Sequence, residues 1–256
     1  MEIEMSDFEI TERAPIPTDR RLRIAEVREV QMVSPHMKRI TVGSSALEGF
    51  PVKRPAQWVK LFVPVADSER SSGRAYTIRY FYENDAEMDI DFVLHGDGPC
   101  STWAERAKPG DVIQMAGPRG GYRYDESAEH LLIGGDETAL PAIGAILEDL
   151  PETAKVTAFL EVPEDSDKQQ IITKASADIH WISRKGAPIG SSRELQDAMM
   201  TTDLSKENGQ VWFSAEAGVV RDVRRHFVAD CGFDRSRVIA AGYWKKGETD
   251  FKDPDS

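Results

Sequence analysis

The rhythm of the chain changes once, at the turn-rich run Gly117-Pro-Arg-Gly-Gly121, and that change constrains the fold more than any other feature. Upstream, short strand candidates alternate with turn residues: Ile24–Val30, Met37–Val42, Trp58–Val63, Ala75–Tyr82, Met88–Leu94 and Val112–Ala116. In Met88-Asp-Ile-Asp-Phe-Val-Leu94 the residues Met88, Ile90, Phe92 and Leu94 fall on one face, the period of a half-buried strand. A set of short strands like this predicts a small antiparallel β-barrel. Its one short helix is expected from Ser101 to about Ala107, capped by Ser101 or Thr102 and closed by Pro109-Gly110.

Downstream, strands alternate with longer helices. Leu131–Gly134, Val156–Val162, His180–Ser183, Val211–Ser214 and Val238–Ala241 read as strands, with helices expected at Leu140–Leu150, Arg193–Met200 and Ala217–Cys231. The last helix puts Val219, Val220, Val223 and Phe227 on one face and Arg221, Arg224 and Arg225 on the other. Such alternation predicts a parallel sheet with helices on both faces, which takes ligands at the carboxyl ends of its strands. The expected organisation is a flexible segment over 1–20, an antiparallel barrel domain over 21–124, an α/β domain over 125–247 and a polar tail over 248–256.

Composition removes several classes of function. The 256 residues leave room for two cores, and the net charge of −12 argues against nucleic acid or an anionic membrane as partner, since phosphate binding needs a basic footprint. Cys100 and Cys231 are the only cysteines, which predicts neither a disulfide framework nor a structural zinc site and fits a reducing cytoplasm. The stretch from Met1 to Arg23 lacks the basic start and apolar core of a signal peptide, and no apolar run approaches a membrane span, so a soluble intracellular monomer is expected. No G-x-S-x-G, H-E-x-x-H or Ser/His/Asp order points to hydrolysis or metal catalysis, and Met32, Met37 and Met115 read as core rather than as iron ligands.

Two stretches carry the chemistry. Arg74-Ala-Tyr-Thr-Ile-Arg79 sets a cation, an aromatic plate and a hydroxyl along one extended strand, a set that suits a flavin. Arg74 can grip phosphate in a fork, Tyr76 can stack on a flat ring, and Thr77 can hydrogen-bond a ring nitrogen. Taken alone, the same residues also read as an ordinary strand. His95-Gly-Asp-Gly-Pro-Cys-Ser-Thr-Trp103 follows, with glycines that allow close backbone approach and a helix start that can receive a pyrophosphate.

In the second half, Gly134-Gly-Asp-Glu-Thr138 lies between a strand and a helix with Pro141 in its first turn. That is where a pyridine nucleotide meets a parallel sheet, which makes Gly135, Asp136, Glu137 and Thr138 candidate contacts and Thr138 the expected N-cap. Ser214-Ala-Glu-Ala-Gly218 forms a later turn of the same kind and puts Glu216 at the nicotinamide-binding face. Arg184 and Lys185 follow a strand and are either a grip for the 2′-phosphate of NADPH or a solvated loop.

The run from Arg74 to Gly121, with Asp91-Phe-Val-Leu-His-Gly-Asp-Gly-Pro99 and Ala116-Gly-Pro-Arg-Gly120, resembles the siderophore-interacting protein family, flavin-dependent ferric-siderophore reductases of the ferredoxin-reductase-like superfamily. So do Gly134-Gly-Asp-Glu-Thr-Ala-Leu-Pro-Ala-Ile143, Ala215-Glu-Ala-Gly-Val-Val-Arg221 and Gly242-Tyr-Trp-Lys-Lys-Gly247, in the same order along the chain. The resemblance implies non-covalent FAD, with Arg74 on its phosphates, Tyr76 against the flavin or ribityl chain and Thr77 at the reactive nitrogen edge. It also implies Ser101 and Thr102 on the pyrophosphate and His95 beside the cofactor; the other reading of His95 is a strand-end residue bonded to backbone.

Tyr243 and Trp244 then cover part of the flavin, and Lys245 and Lys246 join Lys53, Arg54, Arg119 and Arg123 in a basic rim for an anionic ferric chelate. The expected reaction passes electrons from NADPH or NADH through FAD to Fe(III) held by a siderophore. The alternatives are a general flavin or ferredoxin-type reductase and a non-catalytic siderophore- or flavin-binding module. Plant-type ferredoxin reductases end in an aromatic residue; the polar stretch from Glu248 to Ser256 is expected to leave the flavin face more open.

Overall fold

The computed structural model describes residues 21–65, 68–96, 98–248, 251 and 253. The expected flexible segment 1–20 lies outside the described residues, as do six residues of the 248–256 tail.

The first half forms a seven-stranded antiparallel sheet, built of β1 (Leu22–Ser34), β2 (Met37–Gly43), β3 (Gln57–Val65), β4 (Ser68–Thr77), β5 (Tyr80–Tyr82), β6 (Glu87–Val93) and β7 (Val112–Gly120). Its order is β4-β3-β7-β1-β2-β6-β5, so the two edge strands are consecutive in sequence. The two residues between them bridge the edges, Ile78 N–H donating to Gln57 O and Arg79 N–H to Asp89 O, each at 2.8 Å. The sheet therefore curls into a barrel. The strand expected over Ala75–Tyr82 is two strands, because this step carries the chain from one edge of the sheet to the other.

Alternation fills the barrel. Ile40, Leu61, Met88, Ile90 and Met115 are fully buried, and burial of each such side chain is worth about 1.5–3 kcal/mol. Asp89 and Asp91, on the other face of β6, are also buried, held by Thr41, Tyr82 and Arg39. Met37 and Met115 are core as expected, but Met32 is half exposed, because the pleat turns it to the outer face of β1.

The barrel's α-helix, α1 (Pro99–Arg106), begins earlier than expected, with Gly98 at its N-cap and Pro99 in its first turn. Ser101 and Thr102 therefore lie inside the helix rather than at its cap.

The second half is a five-stranded parallel sheet, β8 (His130–Gly135), β9 (Lys155–Val162), β10 (Ser176–Ser183), β11 (Gly209–Glu216) and β12 (Val238–Trp244), in the order β10-β9-β8-β11-β12. Central β8 is a continuous apolar run with Leu131, Leu132 and Ile133 fully buried, as a strand covered on both faces requires. Leu131 and Ile133 pack with α2 (Leu140–Asp149) on one face. Leu132 packs with α3 (Glu194–Thr201) and α4 (Ala217–Arg225) on the other. The helix expected to run to Cys231 ends in a π turn over His226–Asp230, and Arg224, expected on its solvent face, reaches back to the Ala240 carbonyl. Among the described residues no helix is long and apolar enough to cross a membrane.

Several polar contacts join the halves. Arg79 pairs with Glu148, Ser34 and His36 both donate to Asp167, and the buried Tyr122 hydroxyl donates to Gln210 at 2.6 Å.

Candidate functional site

The pleat of β4 divides the Arg-Tyr-Thr set. In the β3–β4 register Leu61 faces Arg74, Val59 faces Tyr76 and Trp58 faces Thr77, so Arg74 and Tyr76 share one face and Thr77 lies on the other. The three residues therefore approach the site from two faces of β4. The Tyr76 ring lies 4.4 Å from Phe92, centroid to centroid. Burial, with the Cys100 thiol as its hydrogen-bond partner, holds the Tyr76 hydroxyl well above the ordinary phenol range. Arg74 stands close enough to act on both Tyr76 and Cys100 electrostatically.

Next to this cluster α1 starts. Thr102 N–H makes the first intrahelical bond, to Gly98 O at 3.0 Å, so among the described residues the amides of Cys100 and Ser101 have no intrahelical acceptor. Ser101 is buried and its Oγ accepts from His95 N–H at 3.1 Å, so the two residues fix the loop that leads into the helix. On the Thr77 face, Arg119 lies over the Trp58 ring at 5.3 Å, and its buried Nε has no hydrogen-bond partner. An unmatched Arg119 donor, an aromatic plate and a hydroxyl on one face of β4, with Arg74 and the start of α1 on the other, are the groups that suit an anionic, aromatic cofactor such as FAD.

The carboxyl ends of β8 and β11 present the second half of the site. Gly135 is glycine for packing, since a Cβ there would come within 2.5 Å of Ser214 O. Asp136 is buried and accepts from Thr138 N at 3.0 Å, Thr138 Oγ1 at 2.5 Å and the Trp244 indole at 2.8 Å. Burial and neighbouring Glu137 push its carboxyl up to about 7. Thr138 thus closes an Asx turn and Ala139 is the N-cap, in place of the expected Thr138 cap.

Two more candidates have their carboxylates committed within the protein. Glu137 is gripped in a fork by Arg184 at 2.5 and 2.7 Å, and Glu161 joins at 3.1 Å. Arg184 is thereby neither a solvated loop residue nor a free 2′-phosphate grip; exposed Lys185 alone keeps that option. Glu216 caps α4, accepting from Gly218 N at 2.5 Å and Val219 N at 3.1 Å.

Between the two halves stands Tyr243, its hydroxyl beside Ser214 on β11 and Thr77 on β4; desolvation of that hydroxyl pushes it up to about 12. Trp244 rests on Gly190, where a Cβ would lie 3.1 Å from the indole. Of the basic residues, Lys53 and Arg54 sit in a loop whose amides both bond Gln57 Oε1, beside the strand pair that carries Arg119. Arg123 and Lys246 are exposed, whereas Lys245 is paired with Glu248 and lies 5.9 Å from the Phe251 ring. The tail does not simply leave the face open, because Asp253 accepts from Gly242 N at 2.6 Å and Phe251 packs against Gly242.

Residues 26–72 and 65–122 match the siderophore-interacting FAD-binding domain, and residues 128–247 match the siderophore-interacting protein domain. The chain belongs to the siderophore-interacting protein family. A siderophore utilization protein from T. fusca has a similar structure, with TM-score 0.85, 33% identity and coverage of 91% of this chain and 95% of that one. The ferric vibriobactin reductase ViuB of Vibrio cholerae is 28% identical over 89% of this chain and 91% of its own. The NADPH-dependent ferric-chelate reductase of Escherichia coli is 29% identical over 90% and 95%. The barrel is thus the FAD-binding domain of a siderophore-interacting protein.

Several residues that shape the site carry no local signal. Trp58 and Cys100 reach it only through strand register and the start of α1, and Glu161 only through its partner Arg184. The isolated pattern of each is that of an ordinary core or surface position.

Proposed function

We propose that this member of the family is an FAD-dependent ferric-siderophore reductase that draws electrons from a pyridine nucleotide and releases Fe(II), working as a monomer in the cytoplasm. The observation that carries this reading is that the Tyr243 hydroxyl stands beside both Thr77 and Ser214, which brings the flavin strand of the barrel next to a nucleotide-binding strand end of the parallel sheet. Both components come from one chain. Two free thiols suit a reducing compartment.

FAD held here would supply the chemistry, hydride acceptance and single-electron transfer. Arg74 and the amides of Cys100 and Ser101 hold its phosphates, with His95 and Ser101 fixing the loop beside them. Tyr76 and Thr77 orient the ring system from two faces of β4, while Tyr243 and Trp244 shield it from water. The turn Gly135-Asp136-Glu137-Thr138 receives the nucleotide through its backbone, since the acidic side chains are already engaged. Lys53, Arg54, Arg119 and Lys246, with Lys245 once it leaves Glu248, gather an anionic ferric chelate against a protein of opposite net charge. Reduction itself releases the metal, because hard oxygen ligands hold ferrous iron far less tightly than ferric iron, so no acid or base on the protein is required.

The deciding experiment is an anaerobic visible spectrum of the purified protein, taken before and after NADPH, then NADH, then a ferric siderophore with a ferrous trap. Flavin bands that bleach with nucleotide and return as ferrous iron appears are expected. A colourless protein that FAD cannot reconstitute would overturn the reading.

A further inference from the structure

Arg79 ends the Arg74–Arg79 motif, and the flavin-binding reading gives it no work. Its guanidinium is buried and grips Glu148 of α2 in a fork, at 2.7 and 2.6 Å. The Tyr80 hydroxyl adds a third bond to the same carboxylate at 3.1 Å, and the Tyr80 ring lies 4.2 Å under the Arg79 guanidinium. To reach Glu148 the side chain crosses α2 at Gly144, where a Cβ would stand 2.9 Å from its Nη2. The Arg79 backbone is equally fixed, donating to Asp89 O at 2.8 Å as part of the step that closes the barrel.

Two rigid elements meet in this pair. Thr77 lies two residues upstream, about 7 Å along an extended chain. Glu148 lies on a helix that springs directly from the Gly135–Thr138 turn and spans about 15 Å. The fork therefore ties the strand that carries Thr77 to the helix that fixes the nucleotide turn. The cross-domain bonds at Asp167 and Gln210 join different elements, and Tyr243, beside Thr77, approaches β11 rather than α2.

We infer that Arg79, through Glu148, is a positioning residue for hydride transfer, setting the distance between the flavin edge at Thr77 and the nucleotide turn after β8. The inference rests on the reductase reading above. Hydride transfer demands alignment within fractions of an ångström, and a misplacement of 1 Å costs about a hundredfold in rate. Reduction of an iron chelate moves an electron rather than a hydride and tolerates a looser joint.

The test separates the two half-reactions in the FAD-loaded full chain. In Arg79→Lys and Glu148→Gln, rapid-mixing bleaching by pyridine nucleotide should slow by about 10–100-fold. Dithionite-reduced protein should still pass electrons to a ferric siderophore within about twofold of wild type, and FAD affinity should hold. The reversed pair, Arg79→Glu with Glu148→Arg, should recover at least about tenfold over either reversal alone. Amide exchange, read without any nucleotide, should rise together at residues 78–80 and 144–148 in the single variants.

Unchanged bleaching in folded variants, or equal slowing of both half-reactions, overturns the inference. If the variants do not fold, a wild-type chain whose 78–80 and 144–148 amides exchange independently of one another overturns it as well. A wild-type flavin that neither nucleotide bleaches overturns the donor reading and the positioning role together. Ferric-siderophore reduction that fails while Arg79-dependent bleaching survives overturns only the proposed substrate.

Discussion

Asp136 concentrates the physics of the nucleotide turn in one side chain. Its carboxyl is buried, sits beside Glu137 and accepts three hydrogen bonds, and the balance leaves it titrating near 7 rather than near 4. A folded-state value raised above the unfolded one means that the native protein keeps a proton that the unfolded chain has lost. The associated stability is whole below about pH 4 and disappears as pH rises through 7. The melting temperature should therefore fall between pH 5 and pH 8, each kcal/mol costing about 2–4 °C in a chain of this size. Asp136→Asn should flatten that slope while weakening the Trp244 contact. A pH profile of melting that matches wild type in the variant would assign the slope to other groups.

At the scale of elements, α4 depends on a cap that its sequence does not advertise. Ser, Thr, Asp and Asn are the usual N-caps, yet here Glu216 bends back onto Gly218 and Val219 and also accepts from Lys246 N at 3.3 Å. Glu216→Ala should lower stability by about 1 kcal/mol, seen as a lower urea midpoint at constant slope. Glu216→Asp should recover part of the loss. An unmoved midpoint would mean that the carboxylate spends its energy on a ligand rather than on the helix. The start of α1 makes the complementary case: Gly98, with φ +89, adopts a backbone open to glycine, and Pro99 takes the first helical position, where its missing N–H costs nothing.

At the scale of the whole molecule, the two halves are joined by polar groups drawn from distant parts of the chain. Asp167 accepts from Ser34 Oγ at 2.8 Å, His36 N at 2.9 Å and His36 Nδ1 at 2.8 Å. Burial alone would raise its carboxyl, but the bonds from His36 and Ser34 outweigh burial and hold it below the ordinary range. With the folded value depressed, this contact stabilises the protein above about pH 4 and is lost as pH falls through the lowered value. Asp167→Ala should cost about 1–3 kcal/mol at neutral pH, because buried Ser34 loses its acceptor. Acid unfolding should then start from a lower plateau and show a shallower fall below pH 4. Identical acid transitions in variant and wild type would remove Asp167 from the joint.

The sequence by itself determined what depends on neighbours along the chain. Period-two alternation in Met88–Phe92 set the barrel face, the apolar run Leu131–Ile133 set the central parallel strand, and Val220, Val223 and Phe227 set the buried side of α4 and the turn that follows it. Glycine and proline marked the turns, and the order of motifs marked the family. Tertiary structure decided what depends on partners far away in sequence. Strand register split Tyr76 from Thr77, a fork from Glu137 took Arg184 out of the solvent, and Asp136 drew in Trp244. Arg79 found Glu148, and Tyr243 came to lie beside both Thr77 and Ser214. Periodicity records which face of an element is buried; the partner of a buried charge is fixed only when the chain closes on itself, because desolvation then demands that each such group be matched.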